Sequence, residues 1–212
     1  MGYEIQISEV GAAEYPLMAV LRETIFSECG HRNLTSIEAD LDGRPDIHSV
    51  IAHLEGNPVG FKIGYGFGPG VYYSKAGGVL KEYRRQGLAS RMQQWQHDFA
   101  RARGYQSVFF NSFNHFKPMM KFGLRTGFLP FGMQWRDDAL AVQFRKELKP
   151  DEPGNRSSLA EPLVTEQIAI GGQIRNDDVP SLLAALDSGF DFTGLRRDAR
   201  TNQIYFLFER NQ

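Results

Sequence analysis

The chain has 212 residues, 42% hydrophobic and 23% charged, with 24 basic and 25 acidic side chains and a net charge of −1. That size suits one substantial domain, or one domain with a smaller appendage; the mixed, near-neutral charge excludes a nucleic-acid footprint and a polybasic membrane patch. A single cysteine, Cys29, excludes an internal disulfide framework and points to a reducing, cytoplasmic setting, and no apolar run reaches the roughly 20 residues of a spanning helix.

The N-terminal residues carry neither a positive n-region nor an apolar h-region, so no secretory leader is expected. Residues 3–8 alternate as a half-buried strand, and residues 12–27 place Leu17, Val20, Leu21, Thr24 and Ile25 at helical spacing. Residues 29–45 read as a loop with a short helix near 36–41. Residues 48–54 and 59–65 are β-rich and separated by Glu-Gly-Asn-Pro, which predicts a hairpin. The glycine-rich stretch 65–70 is either a plain loop or a wall of a binding site, and 71–80 is another strand.

After Leu80 the period changes. Leu88, Met92, Trp95, Phe99 and Ala102 recur at helical intervals over 87–103, and Gly104 ends the helix. Residues 105–110 form a strand. A helix over 116–125 follows, with Pro118 in its first turn, where a missing N–H costs nothing. Residues 128–133 and 140–144 then close as two strands. Within 149–158, Pro, Asp, Glu, Gly, Asn and Ser make the one clear linker. Beyond it, 164–170 reads as a strand, 179–186 as a helix, and 190–195 with 204–208 as a strand pair.

This tail echoes the segment before it. A shift of 62 positions carries Asn114 onto Asn176, Pro118 onto Pro180, Leu124 onto Leu186, Gly127-Phe128 onto Gly189-Phe190, and Gly132 onto Gly194. Two strand–helix–hairpin units also place Gly and Pro at helix ends by themselves, so a repeat and a coincidence both fit.

The chemistry-bearing stretch is GGVLKEYRRQGLA, residues 77–89. A strand ends, a short basic turn follows, and a long helix begins at once. The first N–H groups of a helix lack intrahelical partners, and its dipole adds roughly half a positive charge there. Gly87 and Ala89 leave room for a pyrophosphate to approach the backbone, and Arg84 and Arg85 can add charge-assisted hydrogen bonds. Neither the Walker lysine-Ser/Thr pair nor GxGxxG is present, which removes the main support for nucleotide hydrolysis and dinucleotide binding.

Taken together, Gly77-Gly78-Val79, Tyr83-Arg84, Gly87, Ala89, Gln96-His97, Gly104-Tyr105, Asn114, Phe116-Lys117, Met119 and Gly127-Phe128 stand in one order and spacing. In these motifs the chain resembles the acetyl-CoA core of the GNAT superfamily over residues 77–132, with looser agreement back to residue 3. The resemblance implies an α/β (α+β) GNAT fold: a central mixed, mostly antiparallel twisted sheet flanked by helices, with a small C-terminal β-α-β-β appendage. The expected organisation is a transferase domain over 1–149, a linker over 150–158 and a half-repeat module over 159–212.

It also implies that the backbone of Val79 and Leu80 pairs with the pantetheine arm of acetyl-CoA. Residues Arg84, Arg85, Gln86, Gly87, Leu88, Ala89 and Ser90 would hold its pyrophosphate, with Asn114, Lys117 and Lys121 nearby. The implied reaction moves an acetyl group from acetyl-CoA to a primary amine of a small molecule or peptide, by direct attack in a ternary complex. The alternative is a catalytically silent CoA-binding module that serves as sensor or scaffold. A third reading makes the C-terminal module a pairing element between subunits, giving a homodimer.

Many relatives carry Tyr four residues before the Gly-Phe pair, facing the CoA sulfur; here that position is Gly123, and Phe122 has no proton to give. Tyr72, Tyr73 or water would substitute, with Tyr73 on the strand facing the cofactor yet fitting equally as a core aromatic. For the base, Glu38 is the first choice and Glu82 the second. The five histidines have no metal-ligand spacing, so no metal is expected, and His97 reads as a helix-surface residue. Cys29 lacks a paired His and reads as inert. Phe61, Phe109, Phe110, Phe113 and Phe116 read as core.

Overall fold

A computed structural model describes residues 4–27, 36–114, 116–136, 139–148 and 172–210. Cys29, His31, His115, the predicted linker and the predicted strand over 164–170 lie outside the described residues. The fold is mixed α/β, with mostly antiparallel sheet and flanking helices, and its chain contacts divide into two bodies, Met1–Val108 and Phe109–Gln212.

In the first body the strands run β1 (Ile5–Glu9), β2 (His48–Leu54), β3 (Asn57–Gly68) and β4 (Val71–Val79), neighbours in that order and antiparallel. Helix α1 (Tyr15–Ser27) covers one face. There Phe26 meets Phe61 edge-on, and a Cβ on Gly78 would stand 2.6 Å from Ile25. Helix α2 (Ile37–Leu41) begins where Ser36 accepts the N–H of Ala39, an N-cap, and it buries Ile37 and Leu41. Helix α3 (Leu88–Ala102) covers the opposite face.

Two expectations change here. Strand β3 runs through the glycine-rich stretch as far as Gly68, because Gly64 lets β3 pass against Gln96 and Tyr72 instead of turning the chain. Helix α3 also presents a rotated face. It buries Gln93, Gln96, His97 and Ala100 beside Leu88 and Met92, while Trp95 is 43% exposed. His97 is therefore a buried residue, not a surface one. The rotation follows from what lies beneath. Gly60 and Gly64 of β3 face Met92 and Gln96, so Lys62 between them shares that side, buried with its Nζ donating to Ser74 Oγ at 2.8 Å.

In the second body, which takes in β5 (Ser107–Phe113) from Phe109 onward, that strand neighbours β7 (Ala139–Glu147), which neighbours β6 (Leu129–Arg136). Helix α4 (Lys117–Arg125) has Pro118 in its first turn and buries Met120, Gly123 and Leu124. Its core is aromatic: Phe110 stacks on Phe144 at 5.0 Å and meets Phe128 edge-on at 4.9 Å. A second, three-stranded sheet runs β8 (Gly172–Arg175), β10 (Ile204–Arg210), β9 (Phe190–Arg197), with helix α5 (Val179–Asp187) against β9.

Candidate cofactor-binding turn

The segment 80–90 in the first body is built on an apolar anchor. Leu88 and Met92 are buried with Val50, Val59 and Val79, and Tyr83 and Ala89 pack against the same cluster. Above that anchor Arg84, Arg85, Gln86, Gly87 and Ser90 are exposed. The chain leaves β4 through a 3-10 turn, Lys81–Tyr83, in which Tyr83 N–H donates to Leu80 C=O at 3.0 Å. Two left-handed residues then re-aim it: Arg85 at φ 65° and Gly87 at φ 78°.

Gly87 is the N-cap of α3 and supplies no side-chain cap; a Cβ there would meet nothing within 4 Å. The first bond into the helix runs from Arg91 N–H to Gly87 C=O at 3.0 Å. The N–H groups of Leu88, Ala89 and Ser90 therefore have no acceptor inside the helix. With the helix dipole behind them and Arg84 and Arg85 beside them, they form an exposed, cationic helix end suited to an anion. Arg84 is fixed at its base: its Nε donates to Val79 C=O at 2.9 Å. Leu80 N–H is committed to Val59 C=O at 2.9 Å. The turn thus meets the needs of a diphosphate group in three ways: free amides, room over Gly87, and an oriented guanidinium.

The expected acid–base residues fall elsewhere in the same body. Glu82 is exposed within the turn, and Glu38 is exposed on the first turn of α2. Tyr73 is buried, its ring meeting Tyr65 edge-on at 5.4 Å and Phe67 at 6.0 Å. Tyr72 is fully buried and donates its hydroxyl to Asp46 C=O; burial pushes its phenol up, so it holds its proton. The residue that sequence reasoning missed is Asp40. Its carboxylate joins Arg22 of α1 and Lys75 of β4, each at 3.0 Å, and so ties α2 over β4. Spacing alone does not single it out, since Asp40 stands three positions from buried Ile37 and Glu38 three from buried Leu41.

Asn114 and Lys117 belong to the second body, where the structure gives them partners of their own. The Asn114 amide donates to Phe192 C=O at 2.6 Å and accepts Phe192 N–H at 3.2 Å. Lys117 donates to Gly189 C=O at 3.0 Å and pairs with Asp191 at 2.9 Å. Gly123 lies under the aromatic core, where a Cβ would stand 2.6 Å from Phe110 Cζ.

Residues 15–128 match the model of the acetyltransferase (GNAT) family. Among solved structures, a GNAT-family acetyltransferase of Staphylococcus aureus Mu50 is similar at 14% identity and TM-score 0.60, over 69% of this chain and 100% of that one. The ribosomal-protein-S18-alanine N-acetyltransferase of Escherichia coli is similar at 12% identity and TM-score 0.59, over 72% and 99%. A GNAT-family acetyltransferase of Elizabethkingia anophelis, solved with acetyl-CoA bound, is similar at 13% identity and TM-score 0.55, over 68% and 97%. Comparison with curated proteins gives no match. Among the described residues no helix is long and apolar enough to cross a membrane.

Proposed function

Because the chain belongs to the acetyltransferase (GNAT) family, whose members transfer an acyl group from acetyl-CoA, we propose that it N-acetylates a primary amine of a small molecule or peptide, by direct attack in a ternary complex. The observation that carries this reading is the turn at residues 84–90. Its unpaired amides, its open glycine and its anchored arginine suit a diphosphate. When bound, acetyl-CoA supplies a thioester carbonyl ready for attack. The backbone of Val79, the amides from Arg85 to Ser90 and the Arg84 guanidinium are the groups we assign to holding it; the Leu80 backbone, expected to share this role, is engaged by Val59 and Tyr83.

The amine must lose a proton to attack, and a carboxylate serves that purpose. Glu38 is the proposed base, with Glu82 second. Asp40 fixes α2 over β4 and leaves the exposed Glu38 free on the same short helix. We assign Tyr73 a wall role, since its ring is held by Tyr65 and Phe67. We place the enzyme in the cytoplasm on its lone cysteine and unremarkable charge. Asn114 and Lys117 engage the C-terminal module within the chain.

The test is thiol release from acetyl-CoA across a panel of small amines, amino-acid derivatives and peptides. Acceptor-dependent release is expected. Tight CoA binding with no turnover on any amine would instead favour the silent module.

A further inference from the structure

The second body contains the same unit twice. Under the 62-position shift, α4 (Lys117–Arg125) falls on α5 (Val179–Asp187) end to end, and β6 on β9 to within one residue. The strand order is the same in both copies, β5-β7-β6 and β8-β10-β9. Each copy also ties its asparagine to its own last strand: Asn114 N–H donates to Leu140 C=O at 2.8 Å, and Asn176 N–H to Ile204 C=O at 2.9 Å. Matching element bounds, order and tie together exceed what two coincident strand–helix–hairpin units would share.

The contacts between the copies are reciprocal. Asn114 Nδ2 donates to the carbonyl of Phe192, and Asn176 Nδ2 donates to the carbonyl of Pro130 at 3.1 Å. Positions 130 and 192 are related by the same shift that relates the asparagines. A contact in which position i meets j while j meets i is the mark of isologous, two-fold pairing. Equivalent elements also meet each other, α4 on α5 and β6 beside β9, as they must near such an axis. The symmetry breaks where chemistry forbids it. Phe192 N–H donates to Asn114 Oδ1, but Pro130 has no N–H, and Asn176 Oδ1 accepts Gln203 Nε2 at 2.8 Å instead. Charge makes the pairing directional: Lys117 and Lys121 of α4 meet Asp191 and Asp187, at 2.9 and 2.5 Å. The equivalent positions on α5 are the uncharged Val179 and Leu183.

We infer that residues 172–210 are a built-in partner: a second copy of the 110–148 unit that occupies the α4/β6 face, a self-complementary surface on which one such unit docks upon another. The surface is homotypic, and its occupant is this chain's own C-terminal repeat. A second chain is thereby kept off it. The repeat has no counterpart of the turn at residues 84–90, so its part is pairing.

Hydrogen exchange and light-scattering mass on the full chain test this. Asn114→Leu with Asn176→Leu removes the reciprocal bonds. Amide exchange in β9 and β10 should then quicken by about tenfold or more, the effect expected from losing several partly buried hydrogen bonds. The mass should also rise toward twice the wild-type value with concentration, as freed faces find each other. Lys117→Glu alone should behave likewise, and Lys117→Glu with Asp191→Lys should restore slow exchange and the wild-type mass; this pair carries the test if the asparagine variant fails to fold. Faster exchange with no gain in mass would overturn the homotypic surface. Unchanged exchange in both sets would overturn the docking itself, as would a wild-type dimer that Lys117→Glu dissolves.

Discussion

Arg84 folds back so that its Nε donates to the carbonyl of Val79, 2.9 Å away, which turns one residue of the basic turn into a fixed part of the strand's end. The guanidinium is thereby held at the turn before any ligand arrives, which lowers the ordering cost of binding. Gly87 completes the arrangement, because its φ of 78° suits glycine and its missing side chain leaves open space.

Gly87→Glu puts a negative charge into that space. The left-handed backbone should cost about 1–2 kcal/mol of stability. CoA affinity should fall below detection by calorimetry while the circular dichroism of the native fold is kept. Arg84→Ala should weaken CoA binding by about 10- to 100-fold, the range of one charge-assisted hydrogen bond. Normal affinity in the Gly87→Glu protein would remove the turn from the cofactor site.

Glu38 and Asp40 lie two residues apart on one short helix and should separate cleanly. Asp40→Asn removes the carboxylate charge that stands 3.0 Å from Arg22, itself 7% exposed; urea unfolding should show a loss of about 1–3 kcal/mol. Glu38→Gln should leave stability within about 0.5 kcal/mol, as for an ordinary surface change. If Glu38 takes the amine proton, kcat/KM falls by about 10²- to 10⁴-fold and the acidic limb of its pH profile disappears. Wild-type kinetics in Glu38→Gln would move the role to Glu82 or to water.

The parts legible in the sequence were those that local chemistry dictates. Pro118 and Pro180 mark two helix starts, Gly104 a helix end, and the change of period at Leu80 marks the strand-to-helix turn. What stayed hidden depends on residues far away in the chain. His97 looked like a surface residue because its neighbours on α3 are polar, yet it is buried there together with Gln93 and Gln96. Asn114 was read from the family motif alone, and its bonds to Phe192, 78 positions on, carried no local signal. The repeat was visible as spacing; its reciprocity needed coordinates.

Lys62 gives the fold a basic pH dependence. Burial beneath α3 lowers its ammonium from 10.5 to about 8 in the native state. The unfolded chain holds that proton up to about 10.5, so between pH 8 and 10.5 it binds more protons than the native chain. Stability therefore rises with pH across this window, by at most on the order of 3 kcal/mol, and below pH 8 the charged form is carried at a cost. Tyr72 and Tyr105 hold their protons longer when folded and oppose the rise toward its upper end. The check is urea unfolding of wild type against Lys62→Met from pH 7 to 10. The stability of wild type relative to Lys62→Met should rise with pH; a constant difference would mean that folded Lys62 keeps its proton across this range.

Gly123 stands where many relatives carry a tyrosine, and restoring that tyrosine should fail. An ideal Cβ at Gly123 lies 2.6 Å from Phe110 Cζ and 3.1 Å from Cε1, with Phe144 at 3.7 Å behind. Phe110 cannot yield, because it is stacked on Phe144 with an interplanar angle of 6° and wedged edge-on against Phe128. Alanine gains about 1 kcal/mol of helix propensity over glycine, but the overlap with a close-packed ring outweighs it. Gly123→Ala should be destabilising, and Gly123→Tyr more so, by about 1–3 kcal/mol or beyond, with no gain in kcat. Gly123→Tyr with Phe110→Ala exchanges volume across the contact and should recover part of the loss. A Gly123→Tyr protein with an unchanged urea midpoint and a raised kcat would show that this position faces the reacting thiol after all, and that the Phe110 ring yields where its packing says it should not.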